Sequence, residues 1–590
     1  MTRTRRNALV WILLASGISI GWGFSIGQTL NGWVDFRAVY YGTRCLLEHH
    51  NPYNVNELEQ VYRTEGGERP SETIQARQAV ILYVNMPTAF IFIAPFAMLP
   101  WGPAHLLWVT LTAGVFTLAA FLMWDIGSRY APNVSLFLIC ILLVNCESIF
   151  GAGNTAGIVV SLCVIAVWCF FKERFVWAGI LCLAASLAIK PHDSGLVWLF
   201  FLLAGAQFRK RALQTLLVNV VLGLFALLWL SYVAPGWMQD WHSNLSAISV
   251  RGGINEPGPA SLTGHSAAMV IDLQAAISVF EDNSSIYNPA SYLVCGVLLL
   301  LGAVRTLRLR VSQEKAWFAL AAVVPLTMLV TYHRPWDAKL VMLAVPACAI
   351  LWAEGGLTSW LALLITTAGI VLTGDVSLAA LVILADKLQV STAGIFGQML
   401  TVMLIRPASL ILLVMSIFYL WVYLRRAPNP PRLTLPAQEK CQLSSRGLDL
   451  IYALNVTLLA FHQHTFGAVG VFNGLGFPVR IASVTPTRRP APRSEQLHHP
   501  ASGTSPGKEP EQRSQLPAQE SFPLDPADSI ALALRTDHVR SLREFADGWR
   551  TNHHISNCLL NRPKIMSRTE HPPLQEIEGN LLPVCGLKLP

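Results

Sequence analysis

Charge is scarce in this chain. Of its 590 residues only 13% are Asp, Glu, Lys or Arg, about half the share usual in soluble globular domains. Fifty-three per cent are hydrophobic, many of them in long uninterrupted runs, and the mean hydropathy is +0.45. That much apolar surface cannot be hidden in a water-soluble core, which excludes a soluble enzyme and an extended disordered chain as descriptions of the whole. Other absences narrow the function. There is no GxxxxGKS/T phosphate loop, which argues against direct coupling to nucleotide hydrolysis. No HExxH or paired CxxC occurs, so a protein-ligated metal is not expected. A clear internal repeat of the kind seen in inverted-repeat transporters is lacking. The net charge of +8 falls in small separated clusters rather than one stripe, which excludes a nucleic-acid partner. Seven of the 11 Cys (Cys140, Cys146, Cys163, Cys169, Cys182, Cys295 and Cys348) sit in apolar runs as small hydrophobes, and no disulfide network is expected.

What is present is a polytopic membrane pattern. Thirteen apolar runs lie between residues 8 and 424, the first being an uncleaved span behind Arg3, Arg5 and Arg6. The segment 79–100 carries Pro87, Pro95 and Pro100 and reads as broken or re-entrant, which leaves about twelve spans in an all-α bundle. Cytoplasmic loops retain positive charge. With Arg3 to Arg6, Lys172 and Arg174, Arg209 to Arg211, Arg305 with Arg308 and Arg310, and Arg425 and Arg426 all inside, the runs alternate consistently. Composition changes near residue 427. The following 164 residues hold 19 of the 35 Pro and 8 of the 15 His, and are read as a mostly disordered cytoplasmic tail, giving domains 1–426 and 427–590.

On this topology the unusual polar residues face outward. They are the loop VDFRAVYYGTR with Asp35, Arg37 and Tyr40, the connection GAGN ending at Asn154, IKPHDSG with Lys190, His192 and Asp193, and TYHRPWDAKL with His333, Arg334, Asp337 and Lys339. Ionisable groups at membrane level cost several kcal/mol and are functional candidates by default. Asp35 has two readings, a general base acting on an alcohol and a helix cap. Lys190 also has two, a phosphate contact and a snorkelling anchor with Asp193 capping the next helix. Four ionisable groups within seven residues around Trp336 exceed what aromatic-belt anchoring requires, and suit a phosphate or diphosphate leaving group.

Together these motifs resemble glycosyltransferase family 87, enzymes of the GT-C class that use polyprenol-phosphate-mannose. The resemblance runs over roughly residues 8–424. It is carried by Asp35-Phe36 and the aromatics behind it, Asn51-Pro52-Tyr53, the segment ending in APFAMLP, Ile189-Lys190-Pro191 and the His333 connection. Where the family tends to show Gly-Gln-x-Asn, this chain has Gly151-Ala152-Gly153-Asn154, so a donor contact made by that Gln has no counterpart. The resemblance implies a plasma-membrane hexosyltransferase that moves mannose from a polyprenyl-phosphate donor to a glycan or glycolipid hydroxyl at the outer face, with no cofactor and no metal. It implies Asp35 as the base of a single inverting displacement and His333 as a contact of the donor phosphate. Arg334 and Lys190 would stabilise the departing phosphate, and Arg37, Tyr40, Asn154, His192 and Asp337 complete the expected substrate-binding set. A groove near 79–100 is the expected path for the prenyl chain. The rival reading is a multi-span transporter or lipid flippase, whose sites usually lie near the bilayer midplane.

Overall fold

The computed structural model describes residues 3–426 apart from 30–31, 69–71, 260–269, 309–310 and 389–393. The chain divides into a unit of residues 1–482 and one of residues 483–590. The expected tail and its boundary at 426 lie outside the described residues.

Among the described residues there is no strand. A long helix α1 (Arg3–Gly27) leads into short α2 (Val34–Leu47), α3 (Val55–Thr64), α4 (Ile74–Ile81) and α5 (Ala89–Ala97). Then come α6 (Trp101–Gly127), α7 (Pro132–Leu143), α8 (Glu147–Ala152), α9 (Ala156–Lys172), α10 (Val176–Ile189), α11 (Pro191–Leu203) and α12 (Ala206–Val233). After α13 (Trp237–Ser249) and α14 (Leu273–Ile277) the chain enters α15 (Ser284–Arg308) and α16 (Gln313–Val330). A 3-10 helix (Asp337–Ala344), α17 (Val345–Glu354), α18 (Leu357–Leu372), α19 (Asp375–Lys387), α20 (Gly394–Ile405) and α21 (Pro407–Arg425) complete it. Local sequence sets many of these boundaries. Asn54, Thr73, Asp272 and Ser312 accept backbone N–H bonds as N-caps. Pro132, Pro191 and Pro407 open α7, α11 and α21, where the missing N–H costs nothing.

Seven helical segments are long and apolar enough to cross a membrane: α1, α6, α7 with α8, α12, α15, α16 and α21. The pair α18 and α19 gives an eighth if the 73° bend between them lies within one span. The expected dozen is therefore not met by length. The difference comes from the inner helices. α9, α10 and α11 have 17, 14 and 13 residues, or about 25, 21 and 20 Å at 1.5 Å per residue, short of a hydrocarbon core of about 30 Å. Lys190 and Pro191 interrupt one apolar stretch, and protein rather than lipid surrounds the break, so its backbone groups find partners there. Segment 79–100 forms no span: α5 has nine residues, contains Pro95, and packs against α2. The outer helices α12 and α15 present Leu217, Val221, Leu228, Leu293 and Leu300 to the surroundings, whereas α7 and α16 are mostly buried. This inverted surface is that of a bundle whose solvent is lipid.

The two ends of the bundle differ in charge. At one end Asp125, near the end of α6, receives Arg5 of α1 and Lys172 of α9 at 2.7 and 3.1 Å. Gln313 at the start of α16 donates to the Phe171 carbonyl, and Arg426 after α21 pairs with Glu354 of α17. The start of α1 and the ends of α6, α9, α17 and α21 thus meet in one basic layer. The opposite ends of α1, α9 and α16 lead to Asp35, Asn154 and His333, and α10, packed on α9, ends at Lys190.

Close packing of α1 on α8 supports that second end. A Cβ at Gly23 would lie 2.4 Å from Phe150 Cβ and 2.6 Å from the Glu147 carbonyl oxygen. Overpacking of this kind costs about 1–3 kcal/mol. Gly23→Ala is therefore expected to lower the unfolding temperature of the detergent-solubilised chain, whereas Gly17→Ala, where a Cβ meets nothing within 4 Å, leaves it unchanged; thermal-shift size exclusion reads both.

Candidate active site

Asp35 lies in the first turn of α2, a position that favours a carboxylate at the positive end of the helix. It is not the N-cap. That place is held by Trp33 at φ 59°, whose backbone N–H donates to the Gly151 carbonyl at 2.8 Å. The Asp35 carboxylate accepts instead from Asn154 Nδ2 at 2.7 Å, and the Ala156 N–H donates to Asn154 Oδ1 at 2.8 Å, which fixes the amide. Asn154 is delivered by Gly153, the C-cap of α8, at φ 66°. A Cβ there would meet Phe36 at 2.7 Å, so both backbone conformation and space require glycine. Trp108 Nε1 holds the Gly153 carbonyl at 3.0 Å.

Lys190 joins α10 to α11 with a non-helical backbone (φ −149°, ψ 80°) and belongs to neither helix. Its side chain is only 16% exposed; the ammonium donates to Asp337 and lies 3.6 Å from Asp193 Oδ2. This is a buried ionic junction, not a snorkelling anchor, and Lys190 itself occupies the N-cap position that the sequence offered to Asp193. Burial opposes the charge on Lys190, yet the Asp193 and Asp337 carboxylates overcome it and raise its pKa. Asp337 also accepts from the Arg334 backbone N–H at 2.9 Å, closing the turn that carries the cluster. The Arg334 guanidinium bonds the Tyr332 hydroxyl and the Ile254 carbonyl, and lies over the rings of Tyr332 and Trp336. His333 is buried; its Nδ1 lies 2.8 Å from the Thr331 carbonyl oxygen and its Nε2 3.4 Å from Asp193 Oδ1. Burial works against a charged imidazole there, and Asp193 outweighs it, so the His333 pKa is raised. His192 stacks edge-on against His333 at 4.9 Å.

Asp35 feels the same junction. Burial raises its pKa above the usual carboxylate range, opposed by the Asn154 hydrogen bond and by the charges of Arg334 and Lys190. The fold thus unites Asp35, Asn154, Lys190, His192, His333, Arg334 and Asp337 from four separate stretches of chain. Two sequence candidates stand apart from it. Arg37 is buried and donates to Glu72 at 2.5 Å, Tyr62 at 2.7 Å and the Gly32 carbonyl at 3.0 Å. Tyr40 donates to the Leu99 carbonyl at 2.8 Å within an aromatic cluster with Tyr41 and Trp101. Both hold the α2 platform together. Sequence reasoning also missed the support of α8: Asp375 Oδ2 accepts from the Ser148 N–H at 2.8 Å, and Lys339 donates to the Thr373 carbonyl at 3.0 Å. No local spacing links residues 148, 339 and 375, so this contact had no signal in one sequence.

The family model of glycosyltransferase family 87 matches residues 83–331. The sequence of this region is that of glycosyltransferase family 87. The match marks the chain as a glycosyltransferase. No curated protein and no solved structure matches it. Asn154, Lys190 and His192 fall inside the family 87 region, while Asp35 and the cluster 333–337 flank it and are brought to it by the fold.

The Arg37–Glu72 pair gives a stability test. Both side chains are at most 3% exposed, and removing one member of such a pair leaves a buried charge without a partner, at about 3–5 kcal/mol. Glu72→Gln keeps a hydrogen-bonding partner for Arg37, whereas Arg37→Ala strands the carboxylate. The expected order of unfolding temperature is wild type, then Glu72→Gln, then Arg37→Ala.

Proposed function

We propose that the chain transfers a hexose, mannose by the family resemblance, from a polyprenyl-phosphate carrier to an acceptor hydroxyl at the outer face of a cell membrane. The observation that carries this reading is the convergence of one carboxylate, held by an amide, with a cationic junction at the bundle end opposite the basic layer. Positive loops stay in the cytoplasm, which puts Asp35 and Lys190 outside together with the amino-terminal Arg cluster inside.

In the proposed reaction Asp35 accepts the acceptor's hydroxyl proton as its oxygen attacks the anomeric carbon. The new glycosidic C–O bond forms while the C–O bond to phosphate breaks with its electron pair leaving on the lipid phosphate, and the anomeric configuration inverts. Asn154 orients Asp35 and leaves the other carboxylate oxygen for the acceptor. Arg334 and Lys190 sit where negative charge grows on the departing phosphate, and fixed charges in a site poor in water act most strongly there. His333 and His192 lie on the same side. Asp337 and Asp193 hold Lys190 in place before the donor arrives, so little reorganisation accompanies the step.

A lipid donor also suits the bundle. An apolar cavity of about 300 Å³ lies between α11, α15, α16 and α21, lined by Leu196, Leu199, Gly296, Leu326, Leu420 and others. It begins on α11 one turn beyond His192, and offers the prenyl chain a path there rather than along 79–100.

Three outcomes follow. Radiolabelled transfer from polyprenyl-phosphate-mannose in membranes holding equal amounts of protein should fall by about 10²–10⁴-fold in Asp35→Asn; equal transfer removes Asp35 as the base. Because the base must be ionised and its pKa is raised, wild-type transfer should decline as pH falls through a value above the usual carboxylate range, where an ordinary Asp would still be charged. Gly296→Phe, at a cavity-lining position where a Cβ meets nothing within 4 Å, should raise the apparent KM for long-chain donors and spare short-chain ones; equal effects on both would place the chain elsewhere.

A further inference from the structure

Three donor groups converge beside the ionic junction, and two of them, Asp193 and His333, are buried with no hydrogen bond to occupy the converging atoms. Asp193 is fully buried, and neither of its carboxylate oxygens has a hydrogen-bond partner. The one ammonium beside it, Lys190, sits closer to Asp337. The Thr331 carbonyl accepts from His333 when the proton is on Nδ1, and that tautomer leaves the buried Nε2 lone pair facing Asp193 without a partner. His192 Nε2 lies 3.5 Å from Asp193 Oδ1, and His333 Nε2 lies 3.4 Å from the same atom. All three donors fall within 4.8 Å of one another. Two donors bound about 2.1 Å from one ion at the tetrahedral angle are about 3.4 Å apart. Both histidine-to-carboxylate separations match that edge.

We propose that His192, Asp193 and His333 form a binding site for one divalent transition-metal ion. Two imidazole nitrogens and a carboxylate oxygen are the donor set of zinc and manganese sites with open positions. The surroundings supply the outer support such a site uses: the Thr331 carbonyl fixes the His333 tautomer, and Lys190 lies beside the carboxylate. The His192 side chain is 39% exposed, which provides both an entrance and the freedom to close the last separation. Charge favours the ion as well. With the imidazoles neutral, the Asp193 and Asp337 carboxylates face the single Lys190 ammonium, an excess of negative charge that a divalent cation reverses before a phosphate arrives. The competing state is a proton on His333 Nε2 paired with Asp193, which an ion would displace. The cation's part beside the leaving phosphate rests on the function proposed above; its binding does not.

The test uses the full chain in detergent micelles, stripped with EDTA and titrated with MnCl2, free Mn²⁺ being followed by electron paramagnetic resonance, and with CoCl2, followed by visible absorption. About one ion per chain is expected, with Co²⁺ bands of a nitrogen and oxygen donor set. Affinity should fall about 10-fold or more in His192→Ala, the ligand least needed for folding, and further in Asp193→Asn. No ion bound by folded wild-type protein, or equal binding by His192→Ala, would overturn the site and leave His333–Asp193 as a proton-bridged ion pair. Binding without sugar transfer keeps the site and removes the transferase chemistry proposed for it. Undiminished transfer by metal-free protein keeps that chemistry and overturns the cation's part in it.

Discussion

Lys190 is the charge on which this end of the bundle depends. An ammonium buried among apolar helices is tolerated only when carboxylates meet it, and the two that do come from different segments: Asp193 one turn along α11, and Asp337 after α16. The pairing ties the α10–α11 break to the 333–337 turn. That turn carries Arg334, whose charge reaches Asp35, and Asp35 is in turn held by Asn154 at the end of α8. A single ionic contact therefore orders four chain segments that share no local sequence relation. Under the function proposed above, cations that meet a phosphate must be in place before the substrate and cannot be left bare in an apolar setting, which is what the carboxylates around Lys190 provide.

The rest of the fold keeps that junction rigid on one side and open to lipid on the other. Glycines at 23, 151 and 153 let α1, α8 and α2 approach closely, and Asp375 anchors the first turn of α8. The Arg37–Glu72–Tyr62 network and the aromatic stack of Tyr40, Tyr41 and Trp101 make a platform of the loop helices. On the lipid side α11, α15, α16 and α21 leave an apolar cavity unfilled. Rigid polar positioning beside an apolar cleft suits the lipid-linked donor of the proposed function, whose headgroup would be fixed while its chain remains in hydrocarbon.

Much of this was legible in the sequence. Low charge and long apolar runs determined an all-helical membrane bundle, because in hydrocarbon every backbone polar group must be satisfied within the segment. The Lys and Arg clusters marked which helix ends share a layer, and the structure joins Arg5, Lys172 and Arg426 to acidic partners at that one end. Ionisable residues at span ends picked out Asp35, Lys190 and the 333–337 turn, since their cost at membrane level requires a reason.

Tertiary structure decided the rest. Hydropathy counts apolar runs but cannot tell a span in lipid from a short helix enclosed by protein, so about twelve expected spans became seven or eight long segments around α9, α10 and α11. Nor can one sequence tell which of two neighbouring charges a structural ion pair consumes: Arg37 and Asp35 are two residues apart, yet helix geometry turns one toward Glu72 and the other toward Asn154. The His192–Asp193–His333 group shows the same limit, because His333 lies 140 residues beyond Asp193 and no spacing motif links them. Local composition sets what each segment is, through propensity and solvation; which side chains meet is set by packing between segments, and that is where the site resides.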